Sequence, residues 1–292
     1  MKNLLAVLIL STLILTGMFI SGADANWNKP LTIKGSDTMV ILNQRWAEHW
    51  MKKTPNKRVQ VTGGGSGTGI AALINGTTDI AASSRTLKDI EIKKVHSRFQ
   101  STVIEIANSK DGIGVYISEA NPVKELTLDQ IKDIFTGKIN NWKEVGGKDA
   151  KIIRYSRESN SGTYLFFKEN VLKRLDYAAD SQNMPGTAAV INAVSKDPNG
   201  IGYGGAAYAS GVKMVFVKKD ANTPGYQATE ENVATGKYPI SRNLYYYVPK
   251  KSYDADVRVK EFVDYICSKE GQDIVKAVGY FPIKQCQITE RK

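Results

Sequence analysis

Short β-rich runs alternating with helical stretches predict an α/β fold built as two compact lobes. Length agrees: 292 residues at about 150 per domain is roughly two domains, each with a real core. Composition agrees too, with 42% hydrophobic and 24% charged residues, nine Pro, and no internal repeat or long linker. These values exclude a disordered, collagenous or low-complexity chain and a mini-protein dependent on disulfide staples.

The first element lies outside that fold. Met1-Lys2 precedes an apolar run from Leu4 to Ile20, broken only by Ser11, Thr12, Thr16 and Gly17, and Ala23-Asp24-Ala25 follows as a small-x-small cleavage site. The pattern reads as a secretory signal peptide over residues 1–25, cut after Ala25, with a periplasmic mature chain. The alternative is an uncleaved anchor, but the run is 17 residues against the approximately 20 of a span. No Cys follows it for lipid attachment, and no second apolar run approaches membrane length.

Forty Lys and Arg against 29 Asp and Glu leave a net charge of +11, unchanged when the leader takes Lys2 and Asp24 with it. The bases are scattered among acids, as in Lys168-Glu169 and Lys269-Glu270, instead of forming a stripe with interleaved aromatics. That distribution argues against nucleic acid and leaves the steering of small anions as the use of the field.

Strands are expected at Leu31–Lys34, Val59–Thr62, Asp79–Ala82, Val103–Ala107, Ile113–Ile117, Lys151–Tyr155, Ile201–Tyr203, Val212–Lys218 and Leu244–Val248. Between them, Thr127-Leu128-Asp129-Gln130 is a capping-box pattern opening a helix that stops at Gly137. Thr187–Lys196 is a second helix, ended by Asp197-Pro198-Asn199-Gly200. A third starts near Asp254 and carries Val257, Phe262, Val263 and Ile266 to Cys267; a fourth carries Ile274, Val275 and Val278 to Gly279. Export makes a disulfide between the only two cysteines, Cys267 and Cys286, the preferred reading, closing a loop of about 20 residues worth about 3 kcal/mol. The alternative is two unpaired thiols; with no neighbouring His, zinc is not supported.

Four loops rich in Gly, Ser and Thr each follow a strand, and three of them open a helix. The first is Gly35-Ser36-Asp37-Thr38-Met39, before a helix with Leu42, Trp46 and Trp50 four apart. The second is Gly63 to Gly69, before Ile70–Asn75; the third is Ser83-Ser84-Arg85-Thr86; the fourth is Arg157 to Thr163, before Tyr164–Leu175. Helix N-termini leave N–H groups unpaired and carry partial positive charge, hydroxyls add neutral donors, and one Arg supplies a planar fork. Each loop alone is an ordinary capped turn. Together they describe a cleft for an oxyanion. A P-loop is excluded because Gly69-Ile70 follows Thr68 where Gly-Lys-Ser/Thr is needed, and the dense glycines with a near Asp79 do not make a dinucleotide fingerprint.

These loops resemble the periplasmic phosphate-binding proteins of Pst-type ABC importers over nearly the whole mature chain. The supporting stretches are Gly35–Met39, Val61–Ile70, Thr78–Arg85, Ile134–Trp142, Arg157–Thr163, Ile201-Gly-Tyr, Tyr238–Arg242 and Glu270–Gln272. The resemblance implies a type II periplasmic-binding-protein fold: two α/β lobes joined by two crossing strands, near Ile106 and Arg242, with a ligand cleft between them. The lobes would then be 26–106 with 243–292, and 107–242. It implies ligand donors at Thr38, Met39, Ser66, Arg157, Ser161, Gly162 and Thr163, with Arg157 as the fork. In the third loop many members place an Asp that accepts the proton of hydrogen phosphate, whereas this chain has Ser84 followed by Arg85. A buried acceptor repels unprotonated sulfate. With Ser84 there, Asp37 is the alternative acceptor, or selectivity is looser; Arg85 either joins the ligand set or pairs with Asp89.

The resemblance further implies inorganic phosphate and a membrane permease as partners, a monomer, and no cofactor or catalytic residue. Carriers of sulfate, molybdate or tungstate and a phosphate-sensing receptor share these features. A phosphatase would need a base or clustered metal ligands, yet the only histidines are His49, beside Trp46 and Trp50, and His96, in a basic stretch. Tyr245-Tyr246-Tyr247 reads as a strand with alternating faces and Trp142 as a lobe-surface anchor, so neither makes a case for a protein-interaction module.

Overall fold

The structure, a computed structural model, describes residues 27–292. The expected signal peptide, residues 1–25 with its cut after Ala25, lies outside the described residues. Along the chain run β1 (Leu31–Gly35), α1 (Val40–Lys53), β2 (Val59–Thr62), α2 (Ser66–Asn75), β3 (Ile80–Ser83), α3 (Asp89–Phe99) and β4 (Val103–Ile117). Then come β5 (Glu125–Thr127), α4 (Leu128–Phe135), β6 (Ile153–Arg157), α5 (Gly162–Asn170), β7 (Gln182–Met184), α6 (Thr187–Lys196) and β8 (Gly200–Gly205). The last part holds β9 (Lys213–Met214), β10 (Phe216–Lys218), α7 (Glu230–Ala234), β11 (Ser241–Pro249), α8 (Lys250–Ala255), α9 (Val257–Cys267), α10 (Lys269–Val278) and β12 (Gln287–Arg291).

The main sheet has the order β2-β1-β3-β11-β4-β8-β6-β7, with β12 and β9 also paired to β4. β1, β2 and β3 are parallel to one another, as crossovers through α1 and α2 allow, while β11 runs antiparallel to β3 and β4. α1, α9 and α10 cover one face of the first lobe's sheet, where Trp46, Tyr246 and Phe262 are fully buried. α2 and α3 cover the other through Ile70, Leu73, Ile92 and Val95. The Tyr245–Tyr247 run alternates as expected: Tyr246 enters the first core, and Tyr245 and Tyr247 stack on the opposite face at 5.8 Å. The second lobe packs Phe135, Phe167, Tyr203 and Trp142 into its own core. Trp142 is thus interior, where its indole N–H donates to Asn199 O at 2.9 Å, and is not a surface anchor.

Several helix ends follow their signals, although the helix expected from near Asp254 is two, α8 and α9, parted at Asp256, and the one expected to run to Leu175 stops at Asn170. Thr127 caps α4 and exchanges bonds with Gln130, Gly137 ends it at φ 82°, α6 spans Thr187–Lys196, and Gly279 closes α10 at φ 94°. The separate strands expected at Val103–Ala107 and Ile113–Ile117 are instead one strand of 15 residues. Asn108 to Gly112 lack an apolar alternation, but ladder bonds to β11, from Leu244↔Ser109 to Ser241↔Gly112, keep them extended. β4 then pairs with β8 from Ile113↔Gly205 onward, so this strand and the start of β11 cross between the lobes. The run Val212–Lys218 divides into β9 and β10, and α2 and α5 begin at Ser66 and Gly162, earlier than their apolar periodicity indicated. The short polar strands β5, β7 and β12 carry no alternation to find; β12 is an exposed edge bearing Glu290 and Arg291.

The segment after α10 touches both lobes beside the crossing strand: Tyr280 packs in the first lobe's core and Phe281 in the second's, with Phe281 bridged to Lys110, before the chain returns to the first lobe as β12. Cys267 and Cys286 form a disulfide with Cα atoms 5.5 Å apart, pinning this segment to the end of α9. No described helix is long and apolar enough to cross a membrane.

Candidate functional site: an oxyanion cleft

Three of the loops converge because their strands lie side by side and end at the cleft. Gly35, at φ 146°, passes so close to β3 that a Cβ would sit 2.1 Å from Ala82 O. The chain then turns through Asp37–Met39, and Ser36 N–H donates to Ala82 O at 2.9 Å. Tyr208 Oη donates to Asp37 O at 2.7 Å and Tyr280 Oη to Thr38 O, so two phenols hold the carbonyls of this turn. Thr38 is buried, and its hydroxyl lies 2.9 Å from that of Thr163, across the cleft.

Ser66 opens α2 after Gly65 at φ 91°. Its buried hydroxyl accepts from Ser84 N–H at 3.1 Å and lies 3.3 Å from Ser84 Oγ. Facing them is the start of α5, capped by Ser161, whose side chain accepts from Tyr164 N–H at 3.3 Å. Gly162 comes so close that a Cβ there would lie 2.3 Å from Ser66 Oγ and 2.7 Å from Ser84 Oγ. The N-termini of α2 and α5 therefore meet head to head, and the N–H groups of Gly162 and Thr163 have no intrahelical acceptor. Gly67 N–H to Asn160 O at 2.9 Å, and Asn160 Nδ2 to Gly64 O at 3.1 Å, join the lobes at the rim.

Arg157 ends β6 and is fully buried. Nη1 donates to Thr187 Oγ1 at 2.9 Å and Nη2 to Asp37 Oδ2 at 2.7 Å, while Nε has no protein partner. Asp37 also accepts Gly64 N–H at 2.7 Å, so both of its oxygens are already engaged.

Thr38, Ser66, Ser84, Gly162 and Thr163 thus form one cluster; Ser161 caps α5 next to it, and Arg157 adjoins it through Asp37, the residue before Thr38. Two residues of the expected set have other partners. Met39 is interior to the first lobe, and its N–H closes the tight turn onto Ser36 O at 3.0 Å. Arg85 turns from the cluster: its two Nη groups grip Glu91 at 2.7 and 2.8 Å, and Nη1 also donates to Thr86 O. Its carboxylate is therefore Glu91, two residues beyond Asp89 on α3. Burial works to raise the Glu91 pKa, but the Arg85 bonds and Lys88 N–H outweigh it and hold the carboxyl below its ordinary range.

Sequence reasoning missed Arg242 and Asp111, which face each other on β11 and β4 where the lobes join. Arg242 donates to Asp111 Oδ2 at 2.9 Å, Ser84 O at 2.9 Å and Thr163 Oγ1 at 2.9 Å. The signal was slight: Lys110-Asp111-Gly112 falls between two expected strands and Ser241-Arg242-Asn243 just ahead of a third, so both charges stood where the sequence showed loops. Burial pushes the Asp111 carboxyl up against the opposing pull of Arg242.

Among the described residues no group of His, Cys, Asp or Glu is arranged for a metal ion. What the cleft offers is a buried, donor-rich point where two helix N-termini, several hydroxyls and an arginine meet, the chemistry that holds a dehydrated tetrahedral anion.

Comparison with known proteins agrees. The PBP superfamily domain matches residues 21–270. The phosphate-binding protein PstS of Pseudomonas aeruginosa is 33% identical over 277 residues, covering 90% of this chain and 84% of the relative. PstS of Bacillus subtilis is 33% identical over 264 residues, covering 89% and 82%. A Clostridium perfringens crystal structure, described as a phosphate ABC transporter substrate-binding protein with bound phosphate, superposes with a TM-score of 0.79 at 34% identity, covering 88% of this chain and all of that one. With this fold, this cleft and these relatives, the chain belongs to the PstS family of the PBP superfamily.

Proposed function

We propose that this chain binds inorganic phosphate outside the cytoplasm and delivers it to the permease of an ABC importer. The observation that carries the reading is the meeting of Ser66, Ser84, Thr38, Thr163 and the N-terminus of α5 at one buried point between two lobes. Thr38, Ser66, Ser84, Ser161, Gly162 and Thr163 are the ligand donors in this reading, and Arg157 offers its free Nε–H as a charge-assisted donor. The lobes are 26–106 with 243–292, and 107–242; the protein acts as an exported monomer after removal of residues 1–25, and it is a carrier with no catalytic step. The relatives' names and the bound phosphate of the Clostridium perfringens structure support this reading.

Ser84 favours a second reading, a carrier for a wider range of oxyanions, because a hydroxyl can donate or accept whereas a carboxylate only accepts from the ligand. Calorimetric titration of ligand-stripped mature protein with phosphate, sulfate and molybdate at pH 5 and pH 8 separates the two. Tight phosphate binding without competition from sulfate is the expected result. Shared binding selects the wider reading, and no oxyanion binding rejects both.

A further inference from the structure

Arg242 lies where the chain passes from the second lobe back to the first, paired in register with Asp111. Both side chains are almost wholly buried, at 3% and 1% exposure, so solvent screens neither. One guanidinium here touches three parts of the cleft. Nη1 donates to the Ser84 carbonyl, and Nη2 lies 2.9 Å from Thr163 Oγ1 and 3.4 Å from Thr38 Oγ1. The Phe166 ring of α5 stacks 5.2 Å from its Cζ. Asp111 Oδ2 takes Nε–H and Nη2–H at 3.2 and 2.9 Å, which fixes the plane of the fork.

We infer that Arg242 is a positioning residue that sets the donor sense of the Thr38 and Thr163 hydroxyls, one from each lobe, toward the bound anion. This rests on the oxyanion reading above. A threonine hydroxyl has one hydrogen and two lone pairs, and its rotation decides which of them faces a ligand. An Arg N–H cannot accept, so wherever it meets a hydroxyl oxygen it consumes a lone pair and turns the hydrogen away from itself. The two threonine oxygens are 2.9 Å apart, so one hydroxyl donates to the other and the pair has one hydrogen left; with Nη2 giving one N–H to Asp111 and the other to Thr163 Oγ1, lone pairs are occupied on the hinge side and that remaining hydrogen turns to the cleft. Without Arg242 either hydroxyl is free to rotate a lone pair toward an anion oxygen, which is repulsive. Asp111 offsets the charge of Arg242, so the contribution is orientation more than net positive potential. Because the pair sits on the crossing strands, the alignment is complete only when the lobes are together.

The test is a double-mutant cycle in the full mature protein, titrated with inorganic phosphate, combining Arg242→Gln with Thr163→Val. Arg242→Gln is expected to weaken phosphate binding about 10- to 100-fold, and Thr163→Val to weaken it strongly in the native background but less than threefold beside Arg242→Gln. Arg242→Lys supplies a second cycle if the Gln variant does not fold: it keeps the charge but cannot reach Asp111, Ser84 O and the threonines together, so it is expected to remain at least tenfold weaker than the native protein. Additive losses, or full recovery by Arg242→Lys, would overturn the positioning role while leaving the phosphate reading in place. Failure of the native protein to bind phosphate in the same titration would overturn the phosphate reading and this inference with it.

Discussion

Gly162→Ala isolates the contact between the two helix N-termini. The added methyl would sit 2.3 Å from Ser66 Oγ, and rotating Ser66 does not relieve it because Ser66 Cβ is only 2.9 Å away. An ordinary contact of about 3.4 Å therefore requires the lobes to separate locally by roughly 1 Å. Such a shift carries the Thr38–Thr163 contact and the Gly67–Asn160 bond, both 2.9 Å, beyond hydrogen-bonding distance. Two neutral bonds at about 1 kcal/mol each come to about 2 kcal/mol, or a roughly 30-fold loss of phosphate affinity. The lobe itself does not suffer, since Gly162 has helical geometry and Ala is the better helix former by about 0.5–1 kcal/mol. Calorimetry should thus report weaker binding while the ligand-free melting temperature stays level or rises. Unchanged affinity would refute the close approach of the lobes, and a large drop in melting temperature would place the damage inside the lobe.

Three further outcomes follow from the geometry. Arg157→Ala removes a buried fork and leaves the Asp37 carboxylate uncompensated beside the anion; affinity should fall about 100-fold, about 3 kcal/mol, as read by titration with phosphate. Cys267→Ser frees the segment after α10 and should cost about 3 kcal/mol of stability; equal melting temperatures under oxidising conditions would contradict it. Glu91, held below its ordinary range chiefly through Arg85 against the opposing cost of burial, contributes stability that is complete above its unfolded value and lost as pH falls through the lowered one. Denaturant titrations from about pH 6 to pH 3 should therefore show a shallower acid loss for Glu91→Gln than for the native chain.

Local signals decided much of this molecule. Capping at Thr127, the stops at Gly137 and Gly279, and the Thr187–Lys196 helix are short-range effects of hydrogen bonding and positive φ, legible in a few consecutive residues. The strands before the first three loops were equally plain, since Leu31-Thr-Ile-Lys and Val59-Gln-Val-Thr alternate apolar and polar residues and Ile80–Ser83 is a compact buried run. The long crossing strand was not legible, since Asn108 to Gly112 are extended by pairing with β11 and not by any pattern of their own. Arg85 and Arg157 show the same limit within the site. Both are single arginines ending or following a strand beside a serine, yet one reaches Glu91 on its own lobe and the other reaches Asp37 across the cleft.

By itself the sequence determined an α/β chain, most of its longer strands and several of its helices, and the loops whose hydroxyls and free N–H groups suit an oxyanion. Only the tertiary structure decided which of those donors face one another. It brought Ser66, Ser84 and Gly162 within contact, drew Met39 and Arg85 to other partners, and set Arg242 and Asp111 beneath the threonines. The physical reason is that donor capacity is a property of a residue type, whereas convergence depends on register between segments separated by about a hundred residues, such as Thr38 and Thr163, 125 positions apart.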